Sequence, residues 1–442
     1  MRVLVIGAGY VGLSMGVVLA KAHDVTLLDI NEERVKQINQ AICPIHEVQM
    51  PELLKDAIKN GKLRAVTDRE KVTDQEIIFI CTGTPSLPDG SVDMRQVQSA
   101  ADYIFSNAKD VFSKYTVIVI KSTVPPGTTR KYILDRIKKE GFSDSVAASF
   151  NPEFLREGTA VVDALNPDRI IVGVNTDRGS EMMKNLYQEC LGDKASNYLS
   201  MSLESAELAK YANNSFLATK ISFSNEIANI CESVPGVDFD SVMKGVGADH
   251  RINPAMFGAG AGYGGSCLPK DVSGLTHFAE RLHVDTPILR AIQDVNLQRA
   301  EHIVNMLIEE IGELKGKEIG VLGIAFKPDT DDIRNSPGLR VIEVLIKKGA
   351  KVTAHDPLLA KINLEKNQYK CKFTDDLADC LQASSGCIIM TEWKDYVDLS
   401  LEELSSMMKG KVIIDGRRAF VKANVPKDVN YRTIGRPRND VT

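Results

Sequence analysis

Residues 3–12 form the stretch VLVIGAGYVG, an apolar run that leads into glycines at positions 7, 9 and 12. The G-x-G-x-x-G spacing of Gly7, Gly9 and Gly12 allows a tight turn, close approach of a pyrophosphate to the backbone and close packing of a following helix. Asp29 ends the next apolar run, where an acid binds a ribose hydroxyl and repels a 2′-phosphate. Arg34, just beyond it, carries the opposite preference. We expect a dinucleotide-binding domain that prefers NAD to NADP.

Short apolar runs continue along residues 1–200, with helical patterns between them. Strands that alternate with helices favour a parallel, doubly wound sheet of the Rossmann type. The strands expected in this first domain are residues 3–7, 25–30, 77–81, 117–121, 146–150 and 170–174.

The pattern becomes helical in residues 201–312, which we expect to form a central domain. Leu203–Ser233 and Thr286–Ile311 are long helix candidates, and the segment Gly245–Gly265 between them is rich in glycine. The simplest interpretation of two long helices is a connector that also provides a dimer face.

Residues 313–442 form a third region with strands expected at 319–323, 352–356, 387–391 and 412–415. Its segments VLGIAF and VTAHD resemble VLVIGAGY and VTLLD of the first domain. This similarity indicates a second nucleotide-type fold without the diphosphate glycines, although similar folds also share similar strands by chance. The expected fold class is therefore α/β, with two Rossmann-like doubly wound parallel-sheet domains joined by a long-helix central domain.

The bulk composition is that of an ordinary globular protein. The chain has 442 residues, 43% of them hydrophobic, and a net charge of -5 with no dense basic block, which argues against nucleic-acid binding. No apolar run reaches membrane-spanning length. The eight cysteines are scattered, with no CxxC pair and no His/Cys cluster at zinc spacing. We expect a cytoplasmic protein with reduced thiols, no metal site and no membrane partner.

One of those cysteines, Cys267, lies in the stretch GYGGSCLPKD at residues 262–271. The glycines let backbone N–H groups approach a ligand, and Pro269 suits the first turn of a helix. A helix N-terminus favours a thiolate over a thiol, and Asp271 falls on the same helix face as Cys267. A cysteine nucleophile beside a hydride acceptor suggests oxidation beyond the aldehyde, through a thioester.

Three loops follow expected strands, at the edge where open parallel sheets bind ligands. Thr84 lies in CTGTP at residues 81–85, Thr123 in KSTVPPG at 121–127, and Glu153 and Glu157 in NPEFLRE at 151–157. These residues are placed to touch cofactor or substrate. Thr, Pro and Gly also favour turns, which would explain the loops at 81–85 and 121–127 without a ligand. Two exposed acids on a surface helix would explain the loop at 151–157.

Lys210 and Asn214 lie four residues apart in LAKYANNSF, so they share a helix face. A lysine and an amide could stabilise an alkoxide or a thioester oxyanion there, although a solvated helix face has the same pattern. The third region adds cations at strand ends, Lys327, Arg334 and Arg417, which suit phosphate binding.

These segments occur together and in this order in the UDP-glucose/GDP-mannose dehydrogenase family, which the chain resembles from Met1 to the C-terminal DGRR and TIG segments. The set GGSCLPKD, KYANN, NPEFLRE and KSTVPPG is specific to it. Within the family, the chain resembles most the members that oxidise UDP-glucose. The resemblance implies NAD as the cofactor, a UDP-sugar as the substrate, and a homodimer.

The resemblance also implies an activity, the oxidation of the sugar C6 alcohol to a carboxylate with two NAD⁺ in sequence. Cys267 matches the nucleophile that captures the intermediate aldehyde, and Lys210 and Asn214 match residues that steady the oxyanion. Asp271 and Thr123 match groups that position water or relay protons. Glu153 matches a proposed general base for thioester hydrolysis.

Further residues match binding positions of the family. The matches to NAD contacts are Gly7, Gly9, Tyr10, Val11, Gly12, Asp29, Arg34, Thr84, Thr123 and Arg334, with Glu157 between cofactor and substrate. The matches to nucleotide-sugar contacts are Phe154, Leu155, Lys210, Asn214, Gly264, Phe326, Lys327 and Arg417. Arg251 matches an arginine that reaches across from a neighbouring subunit in relatives.

The sequence departs from the family at Asn253-Pro254 and Met256, where relatives show a glycine and then an aromatic residue. This departure concerns the sugar end of the pocket. It leaves GDP-mannose or another nucleotide sugar as an alternative substrate. Two other functions are a two-electron hydroxyacid dehydrogenase and a non-catalytic dinucleotide sensor. The hydroxyacid dehydrogenase fits poorly because it needs no cysteine, and the sensor fits poorly because it predicts a missing catalytic group.

Overall fold

The computed structural model describes residues 1–45, 47–68, 71–362, 364 and 369–438. The chain divides into two compact units, Met1–Asn213 and Asn214–Thr442, and the division falls within the longest helix. Each unit is built around one β-sheet, so the two sheets are described separately.

The first unit contains an eight-stranded sheet. Its strands are β1 (Arg2–Ile6), β2 (Asp24–Leu28), β3 (Leu63–Val66), β4 (Gln75–Ile80), β5 (Phe112–Ile120), β6 (Val146–Phe150), β7 (Ile170–Val174) and β8 (Tyr198–Met201). They lie in the order β3-β2-β1-β4-β5-β6-β7-β8. The six strands β1 to β6 are parallel, as predicted, but β7 pairs antiparallel with β6 and β8 runs parallel to β7. An antiparallel edge on a doubly wound sheet is common.

Helices cover both faces of this sheet. They are α1 (Tyr10–Leu19), α2 (Glu32–Asn39), α3 (Met50–Lys59), α4 (Arg95–Ser106), α5 (Ala108–Val111), α6 (Asp135–Lys139), α7 (Ala160–Leu165) and α8 (Asp177–Leu191), with a π-helical turn at Arg130–Leu134 and a 3₁₀ turn at Gly192–Ala195. Two buried apolar clusters fill the two faces. Such two-sided burial explains why residues 3–6 of β1, 77–80 of β4 and 117–120 of β5 are apolar runs without alternation.

The long helix α9 spans Leu203–Ser233, as the sequence predicted. The helices that follow are α10 (Phe239–Gly247), α11 (Leu268–Arg281), α12 (Pro287–Ile311), α13 (Pro337–Lys347), α14 (Leu377–Leu381), α15 (Lys394–Val397) and α16 (Leu401–Ser406), with a 3₁₀ turn at Leu359–Lys361. None of the helices in the described part of the chain combines the length and hydropathy that a membrane crossing requires.

The second unit contains a six-stranded sheet. Its strands are β9 (Glu318–Leu322), β10 (Lys351–His355), β11 (Lys372–Thr374), β12 (Gly386–Ile389), β13 (Val412–Asp415) and β14 (Asn430–Thr433). They lie in the order β11-β10-β9-β12-β13-β14 and are all parallel. This order repeats that of the first six strands of the other sheet, so the similarity between VLGIAF and VLVIGAGY reflects a shared topology.

The two sheets also share the turn after their first strand. The N–H of Gly7 donates to the Leu28 carbonyl at 2.8 Å, and the N–H of Gly323 donates to the His355 carbonyl at 2.8 Å. Both glycines have positive φ, +96° and +102°. A Cβ on Gly338 would lie 2.5 Å from the Gly323 carbonyl oxygen. The second sheet therefore retains part of the glycine pattern that the sequence suggested it had lost.

The acids after β2 and β10 differ in their surroundings. Asp356 is fully buried, and its Oδ2 accepts hydrogen bonds from the N–H groups of Ile324 and Ala325 and from Nε1 of Trp393. This carboxylate is committed to holding its own loop. The second sheet thus keeps the nucleotide-type topology but uses its acid structurally.

Candidate active site

The turn between β1 and α1 in the first unit is closely packed on one side and open on the other. A Cβ on Gly12 would lie 1.8 Å from the Gly7 carbonyl oxygen, so only glycine fits between helix and turn. A Cβ on Gly9 would meet no heavy atom within 4 Å, which leaves open space above the first turn of α1. Glycine at this position keeps that space free for a ligand that approaches the backbone. The fingerprint therefore fits a dinucleotide.

Asp29 lies beside this turn and is 7% exposed. Its Oδ2 accepts from the N–H of Ala8 at 2.7 Å and pairs with Nη1 of Arg34 at 3.1 Å, and its Oδ1 accepts from the N–H of Asn31 at 2.9 Å. Arg34 thus balances the charge of the acid that the sequence assigns to the ribose. This arrangement suits a ribose hydroxyl at Asp29.

Tyr10 connects the fingerprint to the loop that follows β6. Its hydroxyl bonds to the Glu47 carboxylate and to the Arg156 carbonyl at 3.2 Å, and it accepts from the N–H of Gly158 at 2.7 Å. Burial, together with the hydrogen bond and charge of Glu47, raises the pKa of Tyr10 far above its ordinary value. The sequence predicted a cofactor contact at Tyr10 and gave no signal for Glu47, because their contact joins distant segments.

The loops after β4 and β5 carry Thr84 and Thr123, the first partly exposed and the second 9% exposed. Glu207 of α9, which is fully buried, fixes the second loop. Its carboxylate accepts from the N–H of Gly127 at 2.6 Å and from the N–H and hydroxyl of Thr129 at 2.7 and 2.6 Å. Burial raises the pKa of Glu207 to about 7, although these three hydrogen bonds lower it. Sequence analysis missed this residue.

Glu153 and Lys210 form a buried ion pair, with Nζ and Oε1 3.0 Å apart. Nζ also donates to the Glu153 carbonyl at 2.6 Å, and the N–H of Leu155 donates to Oε2 at 2.7 Å. Burial raises the pKa of Glu153, but the charge and hydrogen bond of Lys210 outweigh it, so the net shift is downward. Glu153 is therefore ionised at neutral pH.

The remaining predicted residues of the loop at 151–158 are Phe154, Leu155 and Glu157, each partly exposed. The Arg169 guanidinium stacks on the Phe154 ring at 3.7 Å, and Nζ of Lys210 lies 5.1 Å from the same ring centroid. These cations hold the ring beside the Glu153–Lys210 pair.

Lys121 is a buried cation at the end of β5 that sequence analysis did not select. It is 3% exposed, and its Nζ donates to Oδ1 and to the carbonyl of Asn151 at 2.8 and 3.3 Å. Burial lowers the pKa of Lys121 to about 8, although Cys81 and Glu153 act in the opposite direction. A lysine in KSTVPPG looks from sequence like an ordinary loop cation, so only its burial sets it apart.

In the second unit, Cys267 is exposed and caps the N-terminus of α11, with Pro269 in the first turn as predicted. The Ser266 hydroxyl lies 3.5 Å from its Sγ. Asp271 is 1% exposed; its Oδ2 accepts from Nδ2 of Asn214 at 2.6 Å and its Oδ1 from Nζ of Lys270 at 2.6 Å. The structure thus brings Asn214 and Asp271 together near the start of the cysteine helix.

Gly264, Phe326 and Arg417 converge around the same loop. A Cβ on Gly264 would lie 2.7 Å from the Asn335 carbonyl oxygen, which requires glycine there. Arg417 donates to the carbonyls of Phe326 and Met390 at 2.7 Å each. Nζ of Lys327 lies 5.6 Å from the centroid of the Phe326 ring. An aromatic ring near Lys327, with Arg417 bonded to the carbonyl of the same residue, suits a base and its phosphates.

Two predicted arginines lie on the surface of the second unit. Arg334 pairs with Asp332 at 2.7 Å and Arg251 pairs with Asp249 at 2.5 Å, with side chains 65% and 78% exposed. The predictions that they contact NAD and a neighbouring subunit remain predictions. Among the described residues, no cluster of His, Cys, Asp and Glu could hold a metal ion.

Three consecutive domain profiles of one family match the sequence. Its NAD binding domain matches residues 1–191, its central domain residues 204–298 and its UDP binding domain residues 320–422. The chain belongs to the UDP-glucose/GDP-mannose dehydrogenase family. It is an NAD-dependent dehydrogenase with a UDP-sugar-binding domain.

Relatives match the chain over nearly its whole length. UDP-glucose 6-dehydrogenase of Rickettsia conorii is 39% identical over 98% of this chain and 99% of its own. The structure of a UDP-glucose dehydrogenase from Pyrobaculum islandicum has a TM-score of 0.85 and 37% identity, covering 94% of each chain. That of a UDP-D-ManNAc dehydrogenase from Pyrococcus horikoshii has a TM-score of 0.87 and 26% identity, covering 99% and 100%. The resemblance stated from the motifs is therefore confirmed.

Proposed function

We propose that this family member oxidises the C6 alcohol of UDP-glucose to the carboxylate of UDP-glucuronate in two NAD⁺-dependent steps. The observation that carries the proposal is the exposed Cys267 at the start of α11, in a chain that also has a complete dinucleotide fingerprint. Three relatives with 38–39% identity are named UDP-glucose 6-dehydrogenase, and these names support the choice of substrate.

The cofactor would be held by the turn after β1, with Gly7, Gly9 and Gly12 at the pyrophosphate and Asp29 at the ribose. Bound NAD⁺ would supply the hydride acceptor for each oxidation. We assign the other predicted cofactor contacts to the same role: Tyr10, Val11, Arg34, Thr84, Thr123, Glu157 and Arg334.

Cys267 would act on the aldehyde that the first oxidation produces. Its thiolate adds to C6 to form a C–S bond, and the carbonyl oxygen becomes an alkoxide that takes a proton. Loss of that hydroxyl proton, together with loss of a hydride from C6 in the second oxidation, would leave a thioester. Water then breaks the C–S bond and regenerates the thiol as the carboxylate leaves. Covalent capture retains the aldehyde between the two oxidations.

The predicted polar residues would assist these reaction steps. Lys210 and Asn214 would stabilise the negative oxygen at C6. Asp271 would orient the Asn214 amide through their hydrogen bond, and Thr123 would position water or relay a proton. Glu153, ionised beside Lys210, is in the form that a general base for hydrolysis needs.

We assign the nucleotide-sugar contacts to the residues that the family match implies, namely Phe154, Leu155, Glu157, Lys210, Asn214, Gly264, Phe326, Lys327 and Arg417. The alternative substrate is GDP-mannose or another nucleotide sugar. One observation favours keeping it: Asn253 and Met256, in the segment that departs from the family, have positive φ of 63° and 67°. Side chains in place of the family's glycine and aromatic residue change the shape offered to the sugar.

Limiting UDP-glucose with excess NAD⁺ tests the proposal. The expected result is two NADH per sugar, with UDP-glucuronate as the product. One NADH per sugar would contradict the four-electron chemistry. No NADH with UDP-glucose, but turnover of GDP-mannose or UDP-N-acetylmannosamine, would replace the substrate and retain the mechanism.

We also propose that the protein is a cytoplasmic homodimer that pairs through α9. Phe216, Phe223 and Ile230 lie at intervals of seven residues along this helix and are 64%, 45% and 56% exposed. A stripe of large apolar side chains on one helix suits a second copy. Arg251 would then reach the neighbouring subunit. Light scattering should give a mass twice that of the monomer. The Phe223→Asp variant should have the mass of a single chain.

The functional division that we propose follows the three expected regions. Residues 1–200 would bind NAD, 201–312 would carry the cysteine loop and the dimer face, and 313–442 would bind the UDP-sugar. The free cysteines of the described chain support a reducing compartment.

A further inference from the structure

The segment Gly260–Tyr263, which leads into the Cys267 loop, is held by three buried polar side chains of the second unit. Asn225 of α9 and Asn296 and Arg299 of α12 are 1%, 6% and 2% exposed. We call these three residues the loop clamp. The sequence gave no signal for them, because they lie on the polar positions of two long helices.

Each clamp residue bonds to the backbone of this segment. Asn225 Oδ1 accepts from the N–H of Gly260 at 2.8 Å, and Arg299 Nε donates to the Gly260 carbonyl at 2.9 Å. Asn296 both accepts from the N–H of Tyr263 at 2.8 Å and donates to its carbonyl at 3.0 Å. Four bonds therefore fix the N–H and the carbonyl of two loop residues.

Arg299 is an unusual residue to bury in this place. Its Nη1 donates to Asn229 at 2.7 Å, and its Nη2 has no hydrogen-bond partner. Within the described ranges, no ion pair joins this guanidinium to a carboxylate. Burial lowers its pKa to about 10, and the charge of Glu232 offsets only part of that shift. A buried charge without an ion-pair partner costs stability, so a purely structural need would be better met by an apolar side chain.

The loop is also fixed on its other side, close to Cys267. The N–H of Gly265 donates to the Arg334 carbonyl at 2.9 Å, and a Cβ on Gly265 would lie 2.9 Å from the Phe326 ring. On the clamp side, a Cβ on Gly262 would lie 2.2 Å from Oδ1 of Asn296. The backbone between Gly260 and Gly265 thus runs between two sets of contacts with no room for side chains at these glycines.

We propose that Asn225, Asn296 and Arg299 are positioning residues that set the place of Cys267 at the start of α11. This proposal rests on the function proposed above, in which Cys267 is needed to oxidise the aldehyde. Loosening the clamp should therefore impair aldehyde oxidation more than alcohol oxidation, because the alcohol step does not use the thiol. A residue that only stabilised the fold would affect both steps alike.

The test compares Arg299→Met and Asn296→Asp with the wild type and with Arg432→Met. Asn296→Asp keeps the acceptor for Tyr263 and loses the donor, so it remains informative if Arg299→Met does not fold. Arg432 of β14 is a matched control. It is 8% exposed, and its Nη1 donates at 2.6 Å to Glu309 on α12, the helix that carries Asn296 and Arg299. Three quantities are measured: oxidation of UDP-glucose with the aldehyde trapped by a hydrazine, oxidation of the isolated UDP-sugar aldehyde, and alkylation of Cys267 by iodoacetamide.

The expected result is a fall of roughly 100-fold in aldehyde oxidation for the clamp variants, since displacing a reacting group by about 1 Å has that effect. Alcohol oxidation should change little, and the alkylation rate of Cys267, followed by peptide mass spectrometry, should shift in the clamp variants and not in Arg432→Met. The proposal would be overturned if the clamp variants lost alcohol and aldehyde oxidation equally and their unfolding midpoints fell in parallel, as in Arg432→Met. Unchanged aldehyde oxidation and alkylation would overturn it too. If the wild type made no acid from UDP-glucose, the proposed function would fail, while the alkylation comparison would still decide on the clamp.

Discussion

Nδ2 of Asn214 donates to Oδ2 of Asp271 over 2.6 Å, which joins helix α9 to the first turn of the helix that begins after Cys267. Both residues are at most 5% exposed. The carboxylate of Asp271 therefore fixes the orientation of the Asn214 amide. In the function proposed above, Asp271 acts on the oxyanion through Asn214.

Replacing Asn214 by Ala should lower kcat by roughly 10²–10³-fold, the usual effect of removing an oxyanion donor. It also leaves one oxygen of the buried Asp271 with fewer donors, at a cost of about 1–3 kcal/mol in the free energy of unfolding. NADH formation and urea unfolding measure the two effects. Asn213→Ala is the control, because Asn213 precedes Asn214 on α9 and its Oδ1 accepts from Arg169, which lies just before β7. An Asn214→Ala enzyme with wild-type kcat would contradict this role.

The Glu153–Lys210 pair predicts a recovery of stability in a double variant. Glu153→Gln leaves Lys210 buried without its counter-charge and should cost about 3–5 kcal/mol. Glu153→Gln combined with Lys210→Met should regain most of that loss, while both variants lose activity. Urea unfolding at pH 7 gives the four free energies of the cycle. If Glu153→Gln were as stable as the wild type, the ion pair between Glu153 and Lys210 would not be formed.

The same pair predicts how stability depends on acid. The pKa of Glu153 is lower in the fold than its ordinary value, so its contribution is fully present above the ordinary pKa and is lost as the pH falls through the folded pKa. The difference in stability between wild type and Glu153→Gln should therefore shrink below about pH 4. A difference that stays constant down to acid unfolding would argue against an ionised Glu153.

Lys121 predicts a gain of stability on substitution. Its pKa falls from 10.5 to about 8 on folding, so the unfolded chain holds the proton more tightly and burial opposes folding below about pH 8. Lys121→Met should raise the free energy of unfolding at pH 7 by on the order of 2 kcal/mol, after the lost bonds to Asn151 are deducted. The gain should shrink as the pH rises from about 8 to 10.5, where both states lose the proton. Lys139→Met, at an exposed position, is the control. A gain in stability that does not change with pH would show that the lowered pKa of Lys121 is not its cause.

The glycine fingerprint predicts opposite effects at two neighbouring positions. Gly12→Ala places a methyl group 1.8 Å from the Gly7 carbonyl oxygen and should destabilise or unfold the first unit. Gly9→Ala meets no protein atom within 4 Å, so its stability should stay within about 0.5 kcal/mol of wild type. Its methyl group occupies the space for the pyrophosphate, and NAD⁺ binding measured by calorimetry should weaken at least about tenfold. Gly9→Ala with wild-type affinity would place the cofactor elsewhere.

The sequence predicted the features that depend on local pattern. The helix Leu203–Ser233 and the strands Val146–Phe150 and Ile170–Val174 match the expected bounds, because long apolar periodicity and short buried runs are local signals. The missed strands, such as Lys372–Thr374 and Tyr198–Met201, have three or four residues and exposed positions, so only pairing with neighbours defines them. The reversed direction of β7 has no sequence signal.

The same distinction holds for the site. Cys267, Asp271 and the glycines stand in motifs, and Lys210 and Asn214 in a helical spacing, so their chemistry could be inferred. Glu47, Lys121, Glu207 and the loop clamp act through contacts between residues far apart in the chain. A buried lysine or arginine looks like any surface cation until the fold is known.

The most direct test of the central claim is the product that Cys267→Ala makes from UDP-glucose with excess NAD⁺. The account predicts that this variant oxidises the alcohol but not the aldehyde, so one NADH forms per sugar and the aldehyde can be trapped in place of UDP-glucuronate. Formation of UDP-glucuronate and two NADH per sugar at the wild-type rate would contradict the thioester mechanism.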